Sequence, residues 1–227
     1  MFNHVDVPFM PIERETIDGV RYYKVWGSEE LVRMPSITSV ISWRNKEKFK
    51  EWRKKVGEQE ANNITRKATH RGTDAHTLIE EYLNNVEPDE MSDVLPLSEF
   101  LFKQAKPTLN RINNILCQEQ SLWSFEIGIA GSVDCIAEFD GELSIIDFKT
   151  SAKPKPREWI EDYFVQCAAY ACMLYEMKGI MVKKFVIIMT CEDGEVKVYE
   201  EYDKKKYINL LSEYVGDFVE AKLQEYA

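Results

Sequence analysis

Hydrophobic spacing divides the chain into stretches of two different periods. The first 35 residues read as short strands and turns, with VRYYKVW from Val20 to Trp26 following the Asp18-Gly19 turn signal. From about Ser39 to Leu83 the apolar positions recur every three or four residues, which predicts helix, with breaks at Gly57 and Gly72. Two further helical pieces, SEFLFKQAK and PTLNRINNIL, are separated by Pro107, which should end or kink the first of them. The period then shortens. SLWSFEIGI, GSVDCIAEF and ELSIIDFKT are consecutive strand-like runs, interrupted at Gly131 and at the Asp140-Gly141 pair. A long helix is expected from about Arg157 to Lys178. After it come the strand FVIIMT, the turn EDGE, the strand VKVYEEY and an amphipathic helix from about Asp203 to Glu225.

This order predicts an α/β fold in which a mixed central sheet is flanked by helices, with a helical region N-terminal to it. A single domain is expected over residues 1–227: strands and helices in 1–116, the core in 117–202 and the last helix in 203–227.

Composition narrows the functional classes. A chain of 227 residues with 44% hydrophobic content, five Trp, eleven Tyr and eleven Phe can bury a sizeable core. Its net charge of -10 argues against a protein that grips nucleic acid over its whole surface, but allows a local basic groove. No segment approaches the roughly 18 apolar residues needed to span a bilayer. The first thirty residues, with Asp6, Glu13, Glu15 and Asp18, lack the pattern of a signal or transit peptide, so a soluble cytoplasmic protein without membrane contact is expected. Cys117, Cys135, Cys167, Cys172 and Cys191 are scattered over apolar patterns without CxxC spacing and read as buried thiols.

Chemistry enters at the hairpin. If Asp140 and Gly141 are the central residues of a type I′ turn, the register sets Asp134 opposite Asp147, with Cβ atoms about 4.5 to 5.5 Å apart. Lys149 shares their face, because side chains alternate along a strand. Two facing carboxylates on a sheet are destabilising unless a cation lies between them. A hard divalent ion, Mg²⁺ or Mn²⁺, answers that need, and Lys149 is near enough to orient or deprotonate a water or to stabilise charge on a phosphodiester. A strand-end ion pair of Asp147 with Lys149 is the plain alternative.

Reading outward, His76, then Gly131-Ser132-Val133-Asp134, then Ile146-Asp147-Phe148-Lys149-Thr150, then Gln166-x-x-x-Tyr170 resembles the RecB-like branch of the PD-(D/E)XK nuclease superfamily, whose fold is restriction-endonuclease-like. The stretches MPSITSVIS, EWRKKVG and RGTDAHTLIEEYL look like the mitochondrial genome maintenance exonucleases and their phage-encoded relatives within it. The resemblance implies Asp134 and Asp147 as metal ligands, with the Phe148 carbonyl and His76, and Lys149 as the catalytic amine. It implies active-site and DNA contacts for Gln166 and Tyr170, and a glutamate that binds a second metal or orients His76, for which Glu119 is favoured over Glu126. It also implies a metal-dependent exonuclease acting on single-stranded DNA ends in recombination, replication or repair.

The residues themselves support parts of this. Gly72, His76, Ile79 or Glu80, and Leu83 share a helical face, as do Gln166 and Tyr170. Ser36 and Thr38 could meet phosphate through their hydroxyls, although an N-cap explains Ser36 as well. Trp43 and Trp52 interleave a cationic run that includes Arg53, Arg71 leads towards His76, and Lys153 and Lys155 follow the catalytic strand. Together they suggest a groove that follows phosphates and stacks unpaired bases. Two other readings stand beside this one. They are a Cas4-like nuclease with an iron-sulfur cluster, which the cysteine positions disfavour, and a catalytically idle DNA-binding accessory protein.

Overall fold

A computed structural model describes residues 1–225; Tyr226 and Ala227, at the expected end of the last helix, lie outside the described residues. The chain opens with a small antiparallel sheet of β1 (Glu13–Ile17), β2 (Val20–Trp26) and β3 (Leu31–Pro35). Three helices follow, α1 (Ile37–Arg44), α2 (Lys46–Val56) and α3 (Glu58–Leu83), and then α4 (Pro96–Leu109). The main sheet is built from β4 (Ile112–Ser124), β5 (Ile129–Phe139), β6 (Glu142–Ser151), β7 (Lys184–Cys191) and β8 (Val196–Glu201). Helix α5 (Glu161–Lys178) lies in sequence between β6 and β7, and α6 (Lys204–Glu225) ends the fold.

Strand order in the main sheet is that of the sequence. The pairs β4-β5, β5-β6 and β7-β8 are antiparallel, and β6-β7 is parallel. A parallel pair needs a crossover, which α5 supplies. The sheet is therefore mixed, as expected, and covered on both faces. One face packs Ile136, Ile145, Ile187 and Met189 against α1, α5 and α6; the other packs Ala137, Ile146, Phe148 and Val186 against α3 and α4. Every residue of β7 is buried, which accounts for its unbroken run of apolar side chains.

Three expectations need correction. Gly72 does not break the helix: α3 runs unbroken for 26 residues because its later half buries Ala75, Leu78, Ile79 and Leu83 at three- and four-residue spacing. The break at Gly57 is real, with φ at 93°. Pro107 sits inside α4 two residues before its end, and the stretch after it is strand: RINNIL enters β4, whose register shifts between Asn113 and Cys117. Nor does Gly131 interrupt a strand. The turn between β4 and β5 lies at residues 125–128, and Gly131 is inside β5.

The hairpin expectation holds at its turn. Asp140 and Gly141 both take positive φ, 53° and 79°, and the ladder pairs Phe139 with Glu142 through to Cys135 with Ile146. This is the register a two-residue I′ turn imposes.

Candidate active site

The site forms where β5 and β6 run out of their ladder. Cys135 with Ile146 is the last recorded pair. At the next position the Phe148 amide donates to Asp134 Oδ2 at 2.8 Å instead of to a strand carbonyl, so the Asp134 carboxylate turns in against β6. Helix α3 brings His76 over this point. Its Nε2 lies 2.8 Å from the Phe148 carbonyl oxygen and 3.8 Å from Asp134 Oδ2, and its Nδ1 faces Glu119 Oε1 at 3.4 Å. Neighbouring ligands of an octahedral ion stand about 3 Å apart, so the His76 nitrogen and the Phe148 oxygen are spaced as two such ligands would be.

Glu119 reaches the site by a strained route. It lies on β4 opposite Asp134, between the recorded pairs Gln118 with Cys135 and Gln120 with Val133. Its φ is 46°, a left-handed backbone inside a strand, and that costs energy in a non-glycine residue. The distortion aims its carboxylate at the far ring nitrogen of His76, the arrangement by which an acid orients a ligating histidine. His76, Glu119 and Asp134 thus offer ligand atoms within 4.8 Å of one another.

Asp147 stands apart from that trio. It is 1% exposed; Lys149 Nζ donates to its Oδ1 at 2.5 Å, and its Oδ2 is buried with no hydrogen-bond partner among the described residues. The expectation of Asp134 and Asp147 facing each other as a ladder pair is therefore corrected. Asp134 is drawn to the Phe148 amide and the His76 side, while Asp147 is held by the ammonium two residues on. A buried acceptor left open is costly unless a cation meets it, and the oxygen-rich donor set with one imidazole suits Mg²⁺ or Mn²⁺.

Protonation follows from this crowding. Burial works against a charged His76, but the Asp134 carboxylate and the Glu119 hydrogen bond outweigh it and push its pKa up to about 9. Burial raises the Asp147 pKa, with Lys149 opposing and Asp134 adding. Burial also opposes the Lys149 charge, but Asp147 and Asp134 prevail and its pKa is raised, so the amine stays an ammonium. Glu80, one turn after His76, is raised by burial and by Glu119.

Gln166 and Tyr170 lie on α5 and are buried, at 8% and 1% exposure; Gln166 Nε2 donates to the Tyr170 hydroxyl at 3.2 Å. Direct DNA contact by Tyr170 is therefore not presented, because its ring fills the space over Gly131. A Cβ there would lie 2.8 Å from Tyr170 Cε1. Ser36 is also buried, and it caps α1 by accepting from the Ser39 amide at 3.0 Å while sharing a hydroxyl contact with half-buried Thr38. Trp43 is half-buried and packs edge-on against Phe218 of α6.

Trp52 differs. It stacks on Phe49 at 5.3 Å between ring centres, on a helix that buries none of its own residues, and Arg53 pairs with Glu58 and Asn62 beside it. Arg71 donates to Thr150 Oγ1 at 3.1 Å and is ion-paired with Glu192. Lys153 is exposed, and Lys155 donates to the Tyr163 hydroxyl at 2.7 Å.

Tyr163 is a site residue that the motifs did not indicate. Its ring lies 5.1 Å below the Lys149 ammonium and 5.2 Å from that of Lys155. The signal was present, since 163, 166 and 170 share one helical face. The five cysteines are free thiols, three of them buried, and none joins the metal-type cluster found among the described residues.

A sheet whose central strands carry Asp134 and Asp-Phe-Lys where their mutual ladder stops, with a helical histidine over them, defines a class of nuclease. The sequence model of the PD-(D/E)XK nuclease superfamily matches residues 44–224, and the chain belongs to that superfamily. Among curated proteins it is similar to human mitochondrial genome maintenance exonuclease 1, with 25% identity over 174 residues, covering 71% of this chain and 50% of that one. The counterpart from Xenopus tropicalis is 30% identical over 118 residues, covering 51% of this chain and 33% of its own. The chain thus spans half or less of the length of these relatives. Among solved structures, a candidate exonuclease from Eubacterium rectale aligns at TM-score 0.46 and 15% identity, covering 69% of this chain and 66% of that one.

Proposed function

We propose that this protein is a Mg²⁺- or Mn²⁺-dependent deoxyribonuclease that removes nucleotides from single-stranded DNA ends, in recombination, replication or repair. One observation carries the reading. Within β6, Asp147 keeps an open, buried carboxylate oxygen beside the Lys149 ammonium and feels the charges of Asp134 and His76, which with Glu119 group their ligand atoms.

His76, Asp134, Asp147 and the Phe148 carbonyl would hold the ion. Glu119 faces the other ring nitrogen of His76 and acts by orienting it. When bound, such an ion neutralises charge on the phosphodiester and makes water a better nucleophile at neutral pH. Lys149 contributes as a cation. Its raised pKa keeps the proton on Nζ, so it stabilises charge growing on the phosphoryl oxygens instead of acting as a base. Tyr163 lies below that ammonium and steadies it.

The preference for a single strand rests on likeness to the exonucleases and on the stack of exposed Phe49 with half-buried Trp52 among cations, which offers a π-face to unpaired bases. No helix of the described residues is long and apolar enough to cross a membrane.

The test is to incubate end-labelled single- and double-stranded oligonucleotides with the protein in Mg²⁺, Mn²⁺ or EDTA. Shortening of the single strand from its ends, with either ion and not in EDTA, is the expected result. Binding without shortening in any metal would reject it in favour of an idle DNA-binding protein.

A further inference from the structure

We propose that Arg71 and Thr150 form a seat for the DNA phosphodiester beside the one being cut, and that Glu192 of the β7-β8 turn occupies that seat in the free protein. This deepens the exonuclease reading and rests on it.

Arg71 is unlike the other cations near the site. The lysines of α2 and Lys153 are exposed, whereas the Arg71 side chain is only 11% exposed and fixed at two points. Its Nε donates to the hydroxyl of Thr150, the residue directly after Lys149, and its Nη1 donates to the Glu192 carboxylate. The adjoining Gly72 faces the same strand: a Cβ there would stand 3.9 Å from Thr150 Oγ1, at ordinary contact distance.

The carboxylate on Arg71 comes from an acidic turn, Glu192-Asp193-Gly194-Glu195. A nuclease gains nothing for its substrate from three acids at this edge, unless one of them serves as an exchangeable anion. A guanidinium donates to a carboxylate or to a phosphate through the same N–H groups, so the two compete for the Nη side of Arg71. Glu192 is 39% exposed and free to leave, while its backbone amide remains tied to the Ser151 carbonyl at 3.1 Å. Its side chain can therefore swing out without the turn unfolding. Arg71 stays on Thr150 throughout.

The experiment measures binding of a short labelled oligodeoxythymidine in EDTA across a salt series, with thermal melting of every variant. Glu192→Gln should tighten binding about two- to fivefold, the range set by loss of one competing ion pair whose acid reaches solvent. Arg71→Ala should weaken binding and reduce the slope of log affinity against log salt by about 0.7, one phosphate contact on a single strand. In the Arg71→Ala background, Glu192→Gln should change nothing. If Arg71→Ala does not fold, Thr150→Val, which removes only the Nε anchor, should still weaken binding.

A Glu192→Gln variant that melts lower but binds as the parent does would show the pair to be a tie of the fold and overturn the seat. So would an unchanged salt slope in Arg71→Ala. If the parent protein itself binds no oligonucleotide, the exonuclease reading fails and takes this one with it. Parental binding with no effect of Glu192→Gln rejects the seat alone.

Discussion

His76 Nε2 stands 2.8 Å from the backbone carbonyl of Phe148, while Nδ1 of the same ring faces Glu119. Both nitrogens meet oxygen acceptors, which is the setting of an imidazolium; burial opposes its charge, but the Asp134 carboxylate and the Glu119 hydrogen bond raise its pKa to about 9. The proton and a divalent ion would compete for the same ring. Mn²⁺ affinity should therefore rise by up to about tenfold per pH unit between pH 7 and 9 and level off above. Calorimetric titration at several pH values checks it. Without metal the sign is opposite: the stabilisation from protonated His76 is complete below its unfolded pKa near 6.5 and is lost as pH rises through about 9. Urea melts in EDTA should show that decline.

Asp147→Asn keeps the shape of the side chain and removes its charge from beside Lys149. Lys149→Ala removes the ammonium. Each should lower the rate of single-strand shortening by at least about 100-fold, the scale of losing one preorganised electrostatic group. Circular dichroism should show the same secondary structure as the parent. Unchanged shortening in a nuclease-free preparation of either variant would remove this strand end from the chemistry.

Gly131→Ala should destabilise the protein by about 1–3 kcal/mol, the usual cost of forcing a methyl into a packed core. The new Cβ would lie 2.8 Å from Tyr170 Cε1 and 3.1 Å from Ile37 Cγ2, neither of which is the end of a flexible chain. Thermal or urea unfolding measures it. A melting point equal to the parent's would mean that the α5 ring is not seated as described.

Two tryptophans in the cationic stretch should behave differently. Trp52→Ala removes half of the stack with exposed Phe49, on a helix that buries none of its residues, and should weaken binding of a single-stranded oligonucleotide by about 1–3 kcal/mol with little change in melting. Trp43→Ala should lower the melting point, since its ring packs against Phe218. Fluorescence anisotropy and melting curves on both variants separate the roles.

The sequence made the hairpin legible to the residue, because a two-residue I′ turn leaves only one register. What it could not show is where the ladder stops. Asp134 leaves the pairing because the Phe148 amide captures its carboxylate, a local competition invisible to a period-two pattern. RINNIL was unreadable for a related reason: with the same apolar spacing on either side of Pro107, neighbours in the sheet decide between helix and strand. Glu119 was recognisable only by resemblance, since its inward aim depends on a left-handed backbone that no composition signals. The tryptophans looked alike in the chain and part company only once Phe218 arrives from the far C-terminal helix.

The continuity of α3 through Gly72 has a mechanical result. The helix is a rod about 39 Å long, with its acidic first turn, Glu58 and Glu60, out in solvent and His76 in its later half. Its only glycine joint is Gly57, ahead of the first turn, so α2 can pivot there and leave the ring nitrogens undisturbed. A pull applied to α3 itself meets no joint before the histidine, so any tilt of its first half is carried straight to that imidazole.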